Sequence, residues 1–235
     1  VRTALTIAGT DSGGGAGVAA DLKVFAAHDV WGTCAVTAVT AQNLHGVHGI
    51  ELVAPEMLAA QIEAVATGFD LAAAKTGMVP NEAAVEAVLR ALPPSVPLVV
   101  DPVMFATSGH QLAGDAVRGL VRRATVVTPN RQEAEALTGA SDPAEAAGLL
   151  VRMGAQVAMV TGSESARDCI ATRDDLHWLD GVPVDAPNTH GTGCILSAAI
   201  TSELAKGMEP VDACIAAKAF VRQALVAGLP FFADG

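Results

Sequence analysis

The chain has 235 residues, 51% of them hydrophobic, with a formal charge of −11. That length and apolar content suffice for one sizeable core without covalent staples, so residues 1–235 read as a single domain. The acidic balance, with no basic cluster to offset it, excludes a nucleic-acid or anionic-membrane surface, but leaves room for a nucleotide held by local donors.

An apolar strand over 4–8 breaks at Gly9-Thr10-Asp11-Ser12-Gly13-Gly14-Gly15-Ala16-Gly17, and a helix follows over 18–28. β-branched residues from 31 to 41 predict a strand ending near Gln42 and Asn43. Positions 55–67 read as a helix with Pro in its first turn and Met57, Leu58, Ile62 and Val65 on one face. The run 71–74 predicts a short strand interrupted by Lys75-Thr76-Gly77-Met78. Asn81 caps a helix through Leu92, and 97–100 is a buried strand ending at Asp101. Then come a helix over 114–123, a strand over 125–127, helices over 130–138 and 143–153, and a strand over 156–160 ending at Thr161-Gly162. Two short strands between 169 and 179 pair as a hairpin, and helices over 193–206 and 211–226 follow.

This alternation predicts an α/β protein with a mainly parallel central sheet and helices on both faces. With no Tyr, two Trp and six Phe, its core is built from Ala, Val, Leu and Ile, which suits a parallel sheet under Ala-rich helices. Ligands of such sheets sit at the carboxyl ends of the strands. The segments 9–17, 42–43, 75–78, 101–109, 128–133 and 161–163 mostly follow strands and gather there. Cys34, Cys169, Cys194 and Cys214 show no metal-ligand spacing, so free thiols in a reducing cytoplasm are expected. No apolar run spans a membrane and no signal-peptide pattern is present.

The sharpest motif is Asn188-Thr189-His190-Gly191-Thr192-Gly193-Cys194, which runs straight into a helix. Two glycines let several N–H groups converge, and the helix start adds unpaired donors and the positive end of its dipole, so an anion is expected there. The same field should lower the pKa of the Cys194 thiol. A plain helix start with Cys as small buried filler stands beside that reading. The 9–17 loop is neither a Walker A nor a dinucleotide fingerprint.

The 9–17 loop with Ala20-Asp21-Leu22-Lys23 resembles the N-terminal signature of the hydroxymethylpyrimidine/phosphomethylpyrimidine kinases of thiamine biosynthesis. So do Thr37-Ala38 through Gln42-Asn43, Lys75-Thr76-Gly77-Met78, Asp101-Pro102-Val103-Met104, Thr128-Pro129-Asn130 with Glu133, and 188–194, in family order over nearly the whole chain. Cys194 is the discriminating letter, since sugar kinases of the wider ribokinase-like superfamily usually carry Asp there.

The resemblance implies a three-layer α/β/α ribokinase-like fold and a cytoplasmic, commonly dimeric kinase. It implies ATP- and Mg²⁺-dependent phosphorylation of 4-amino-5-hydroxymethyl-2-methylpyrimidine and then of its monophosphate. Gly191, Thr192, Gly193 and Cys194 would hold the transferring phosphoryl group, with Cys194 as proton acceptor or as a member of the anion hole. Asp21 and Gln42 would hydrogen-bond the pyrimidine, and Gly9, Met78 and Val103 would line its pocket. Asn130, Thr161, Gly162, Gly191 and Gly193 would face the nucleotide, and Asp101 and Glu133 the metal. From the residues alone, Asp21 reads equally as a first-turn charge favouring its helix dipole, Met78 as core filler, and Asn130 with Glu133 as a capping box.

Two departures stand out. Val18-Ala19-Ala20 precedes Asp21 where relatives commonly carry Gln, and Thr161 stands where many have a Lys that reaches the ATP phosphates. Lys218 is the candidate cation to compensate for Thr161, and Lys75 reads either as a phosphate contact or as a hydrated strand end. A pyridoxal kinase of the same fold, or a dual-specificity enzyme, is the alternative activity. A catalytically silent pyrimidine-binding regulator is the alternative from another class.

Overall fold

The computed structural model describes residues 1–43, 45–103, 116–162, 166–181, 184 and 191–227. At its centre is an eight-stranded sheet ordered β10-β9-β8-β7-β6-β5-β1-β2. Its strands are β1 (Thr3–Ala8), β2 (Trp31–Val36), β5 (Leu71–Thr76), β6 (Leu98–Val100), β7 (Val126–Val127), β8 (Val157–Val160), β9 (Asp168–Ala171) and β10 (Leu176–Leu179). All neighbours from β2 to β8 pair parallel, and the β9–β10 hairpin adds an antiparallel edge. The chain begins in β1, adds β2 on one side and later β5 on the other, so the order reverses at β1. A crevice opens at the carboxyl ends of strands at such a switch point.

Helices cover both faces. On one lie α2 (Pro55–Gly68), α3 (Glu82–Ala91), α4 (Val117–Val121), α5 (Arg131–Thr138) and α6 (Pro143–Arg152), over a core of Leu5, Ile7, Ala74, Leu98, Val100 and Val127. On the other lie α1 (Gly17–Ala27), α7 (Thr192–Ala205) and α8 (Pro210–Ala227), over Ala4, Ala73, Val99, Val126 and Met159. Buried strand residues alternate between the two cores, as a period of two requires. Helix starts are chemically marked: Asn81 accepts the Ala84 N–H at 2.9 Å, and Asp142 accepts those of Ala144 and Glu145 ahead of α6.

The expected strand over 31–41 divides at Thr37. Thr37 donates its N–H to Ala8 O and its hydroxyl to Met78 O, and the chain then leaves the main sheet. Its second half is β3 (Ala38–Asn43), paired antiparallel with β4 (Gly46–Leu52) as a separate two-stranded sheet. Nothing in the sequence reading marked β4, which is interrupted by glycine and largely exposed. β5 runs on through Lys75 and Thr76, because these pair with Thr6 and Ile7 of β1 and with Val99 and Val100 of β6. The backbone ladder overrides the polar side chains that suggested an interruption. The start of the helix expected over 114–123 lies partly outside the described residues.

At the back of the molecule Glu203 on α7 accepts hydrogen bonds from His28 Nδ1 at 2.8 Å and Lys206 Nζ at 2.7 Å. Burial alone would raise its carboxyl pKa, but these two partners hold it below the usual value. A depressed folded-state pKa stabilises above the unfolded pKa of about 4.3 and stops doing so as pH falls through the folded value. Glu203→Gln is therefore expected to lower the melting temperature at pH 7 by about 3–8 °C, for a loss of about 1–3 kcal/mol. The gap to the parent should close below about pH 4, which thermal denaturation at the two pH values measures.

Candidate active site

The expected site segments at 9–17, 77–78, 101–103, 128–133 and 161–162 follow the carboxyl ends of strands. The Gly77 N–H bonds Ile7 O at 2.9 Å, Asp101 N–H bonds Thr76 O at 3.0 Å, Thr128 N–H bonds Val100 O at 2.9 Å, and Thr161 N–H bonds Pro129 O at 2.9 Å. The ends of β1, β5, β6, β7 and β8 thus lie side by side. Continuing the strand alternation places Thr6 after Ala4, Lys75 after Ala73 and Asp101 after Val99 on the face covered by α1 and α7.

Over these residues the two glycine loops meet. Gly191 caps α7 in the left-handed region at φ +81°, and no side chain caps the helix. A Cβ at Gly191 would strike Gly15 O, and one at Gly17, φ +57°, would strike Gly9 O. The backbones approach too closely for any side chain. The Gly17 N–H points at the Cys194 sulfur, and a Cβ at Gly193 would lie 4.0 Å from Asp101 Oδ2. Asp11 fixes the first loop by accepting from Gly13, Gly15 and Ala16 N–H groups at 2.8–3.1 Å. The N–H groups of the first turn of α7 have no intrahelical acceptors and carry the positive end of the helix dipole, an arrangement suited to an anion. Asn188, Thr189 and His190 of this motif lie outside the described residues, as does Met104.

Below the turn lies a buried charged cluster. Lys75 Nζ donates to Asp21 Oδ1 at 2.8 Å, with both side chains 0% exposed, and Thr6 Oγ1 donates to Asp21 Oδ2 at 2.6 Å. Asp21 therefore faces Lys75 inside the fold and presents no surface to a ligand, unlike the pyrimidine contact that the resemblance implied. Burial disfavours the Lys75 charge, but the Asp21 carboxylate, with Asp101 behind it, more than offsets this and holds it protonated beyond the usual lysine range. It is neither a phosphate contact nor a hydrated strand end. Asp101 is pushed up by burial, with Lys75 pulling the other way, and Ser197 Oγ lies 3.1 Å from its Oδ2.

The expected low pKa of Cys194 is overturned. Burial pushes its thiol up to about 12, and the carboxylates of Asp101 and Asp21 add to this against Lys75 and the Gly17 N–H. Cys194 keeps partial exposure, but lies deep among protein atoms. Desolvation of a thiolate outweighs the helix dipole here.

Toward the β1 side, Ser12 and the Gln42 backbone exchange hydrogen bonds at 2.6 and 2.8 Å, fastening the first loop to β3. Half-buried Gln42 has its Oε1 3.5 Å from the Thr40 hydroxyl. A Cβ at Gly9 would sit 2.5 Å from Met78 Cε, so Gly9 and Met78 pack against each other beside the start of β3. Val103 follows β6, its N–H bonded to Asp101 O at 2.9 Å.

On the β8 side Asn130 bridges to Thr161, and Asn130 with Glu133 forms the reciprocal capping box, both bonds at 2.9 Å. Glu133 is buried beside it. The Gly162 N–H donates to Asp168 Oδ1 at 2.9 Å. Lys218 does not compensate for Thr161: its three donors go to Asp168 Oδ2 at 2.9 Å, Ala166 O at 2.8 Å and Leu179 O at 2.7 Å. Sequence reasoning missed the Asp21–Lys75 pair and the support from Ser197 and Asp168. The available signal for the pair was a lysine two residues after Ala73 in a strand covered on both faces, where a charge requires a partner.

No group of three or more His, Cys, Asp or Glu among the described residues is arranged to hold a metal on its own. Asp101 and Glu133, the two carboxylates expected to face a metal, are both buried, Asp101 just after β6 and Glu133 in the first turn of α5.

A three-layer fold with a glycine turn opening an uncapped helix at the sheet switch point defines a ribokinase-like kinase. The sequence profile described as phosphomethylpyrimidine kinase matches residues 11–233, and the chain belongs to that family. It is 44% identical to the hydroxymethylpyrimidine/phosphomethylpyrimidine kinase of Rhizobium meliloti, over 95% of this chain and 90% of that one. Among solved structures, the phosphomethylpyrimidine kinase of Clostridium difficile 630 superposes with a TM-score of 0.82 at 32% identity, covering 95% of this chain and 99% of that one. The ADP complex of Bacillus subtilis pyridoxal kinase gives 0.87 at 35% identity, covering 99% of this chain and 94% of that one.

Two outcomes follow from the geometry. Gly191→Ala is expected to cost more than about 2 kcal/mol in stability and to remove turnover, because backbone must move to admit the methyl group; denaturant unfolding and a kinase assay read both. In the ligand-free protein at pH 7.5, Cys194 should resist iodoacetamide for hours, as peptide mass mapping of alkylated protein checks.

Proposed function

We propose that this chain transfers the γ-phosphoryl group of ATP to the hydroxymethyl oxygen of 4-amino-5-hydroxymethyl-2-methylpyrimidine. In a second round it phosphorylates the monophosphate, giving the pyrophosphate used in thiamine biosynthesis. The observation that carries the reading is Cys194 at the glycine-built start of α7, directly over Asp101 and the first glycine loop, in a chain of this family.

The pyrimidine lies at the Gly9, Gln42, Met78 and Val103 end, with the Gln42 amide supplying donor and acceptor to the aminopyrimidine edge. The nucleotide lies toward Asn130, Thr161 and Gly162, with its γ-phosphoryl group at Gly191, Thr192, Gly193 and Cys194. The hydroxyl oxygen forms a bond to phosphorus as the bond to the ADP oxygen breaks. The turn's N–H groups receive the charge spread over the equatorial oxygens. A thiol with a pKa of about 12 in the ligand-free chain favours Cys194 as a member of the anion hole over a role as base. In a loose transition state the hydroxyl proton leaves late, to an oxygen of the transferred phosphoryl group or to water, so no strong base is needed. Mg²⁺ would be held by Asp101 and Glu133 and, when bound, neutralises charge on the phosphates.

Residues 1–235 act as one kinase unit in this reading. A cytoplasmic setting is supported by four free cysteines. No helix among the described residues is long and apolar enough to cross a membrane. A homodimer is supported by exposed Trp31 on β2 and exposed Val39, Ile50 and Leu52 on β3 and β4.

The likeness to a pyridoxal kinase supports a second reading, in which a related hydroxymethyl-bearing ring is the acceptor. The test offers hydroxymethylpyrimidine, its monophosphate and pyridoxal separately with ATP and Mg²⁺, and follows products by mass. Two successive phosphoryl gains on the pyrimidine are expected. Phosphate on pyridoxal alone would move the assignment to that ring, and binding without product would leave a silent regulator. Cys194→Ala keeps the N–H groups of the turn, so turnover should fall by less than about tenfold while pyrimidine binding persists; a loss of about 10²-fold or more would make the thiol the proton acceptor instead.

A further inference from the structure

The 161–162 turn carries no cation, and Lys218 is spent on Asp168, Ala166 and Leu179. Lys23 is bonded to Gly14 O at the exposed tip of the first loop, where water screens it. The ammonium of Lys75, in contrast, is 0% exposed, beneath helix α7, which packs on β5 and β1. Its position is fixed twice: by its strand pairing opposite Thr6, and by Asp21, whose other oxygen is held by the Thr6 hydroxyl. Without Lys75, two buried carboxylates, Asp21 and Asp101, would stand behind a turn that has to receive phosphate.

We propose that Asp21 and Lys75 act as one buried positioning pair, in which Asp21 fixes the ammonium and Lys75 supplies the cation behind the Gly191–Cys194 turn that Thr161 does not supply. This rests on the reading of that turn as the phosphoryl site. Lys75 touches neither substrate; it acts through the turn and through Asp101 by an interaction that a dry interior leaves strong. Asp21 acts through Lys75 and does not select the pyrimidine.

The test compares the parent with Asp21→Asn/Lys75→Met, which removes both charges of the pair together and leaves Asp101 with its Ser197 hydrogen bond. Pyrimidine binding by calorimetry should stay within about threefold, while kcat should fall at least about 30-fold with the melting temperature retained. A double variant that keeps kcat within threefold would show the pair to be structural only and overturn the proposal. Should the double variant not fold, Asp21→Asn alone decides: a tenfold weaker pyrimidine Kd with unchanged kcat makes Asp21 a substrate contact, whereas lower kcat at unchanged Kd supports the pair. Binding of ADP, Mg²⁺ and fluoroaluminate, which needs no acceptor, separates this from the assignment of substrate. If the parent phosphorylates none of the offered acceptors, the proposed function fails; the pair is still supported by loss of fluoroaluminate binding in the variant, and overturned by its retention.

Discussion

A lysine with no exposed surface, bonded at 2.8 Å to an aspartate with none either, constrains the rest of this molecule. Two charges cannot enter a dry interior unless geometry satisfies both, and breaking such a pair costs about 3–5 kcal/mol. Meeting that condition fixes α1, which carries Asp21, against β5, which carries Lys75, with β1 between them supplying the Thr6 hydroxyl. These elements surround the sheet's switch point, so the pair ties the most polar part of the interior to the crevice above it.

The crevice itself is shaped by backbone. Gly17 and Gly191 allow two loops distant in sequence to touch where a methyl group would collide with a carbonyl oxygen. Asp11 stiffens one loop and the start of α7 anchors the other, so the donors are arranged before any anion arrives. Phosphoryl transfer asks chiefly for such positioned charge and donors. Cys194 shows how the interior qualifies that rule. The helix dipole favours a thiolate, but the cost of removing charge from water is larger, and the thiol stays protonated.

The motifs were legible because each is a local consequence of backbone need or side-chain chemistry. The alternation of strands and helices, the glycine turns, the Asn130–Glu133 capping box and the hairpin near the end of the sheet all depend on neighbours a few residues apart. What escaped was non-local. The split of the expected 31–41 strand at Thr37 follows from bonds to Ala8 and Met78, and β4 exists only as the partner of β3. Lys75 looked like the end of a strand because its polarity was visible and its pairing with Asp21, 54 residues earlier, was not. Lys218 looked available for the same reason, until Asp168, Ala166 and Leu179 claimed its three donors.

By itself the sequence determined the fold class, the family and the segments that meet at the sheet's edge, since periodicity, turn chemistry and ordered motifs are written along the chain. Only the tertiary structure decided the charge state of Cys194, the partner of Asp21 and the occupation of Lys218. Those depend on desolvation and on distances between side chains, quantities that come into being when the chain closes around them.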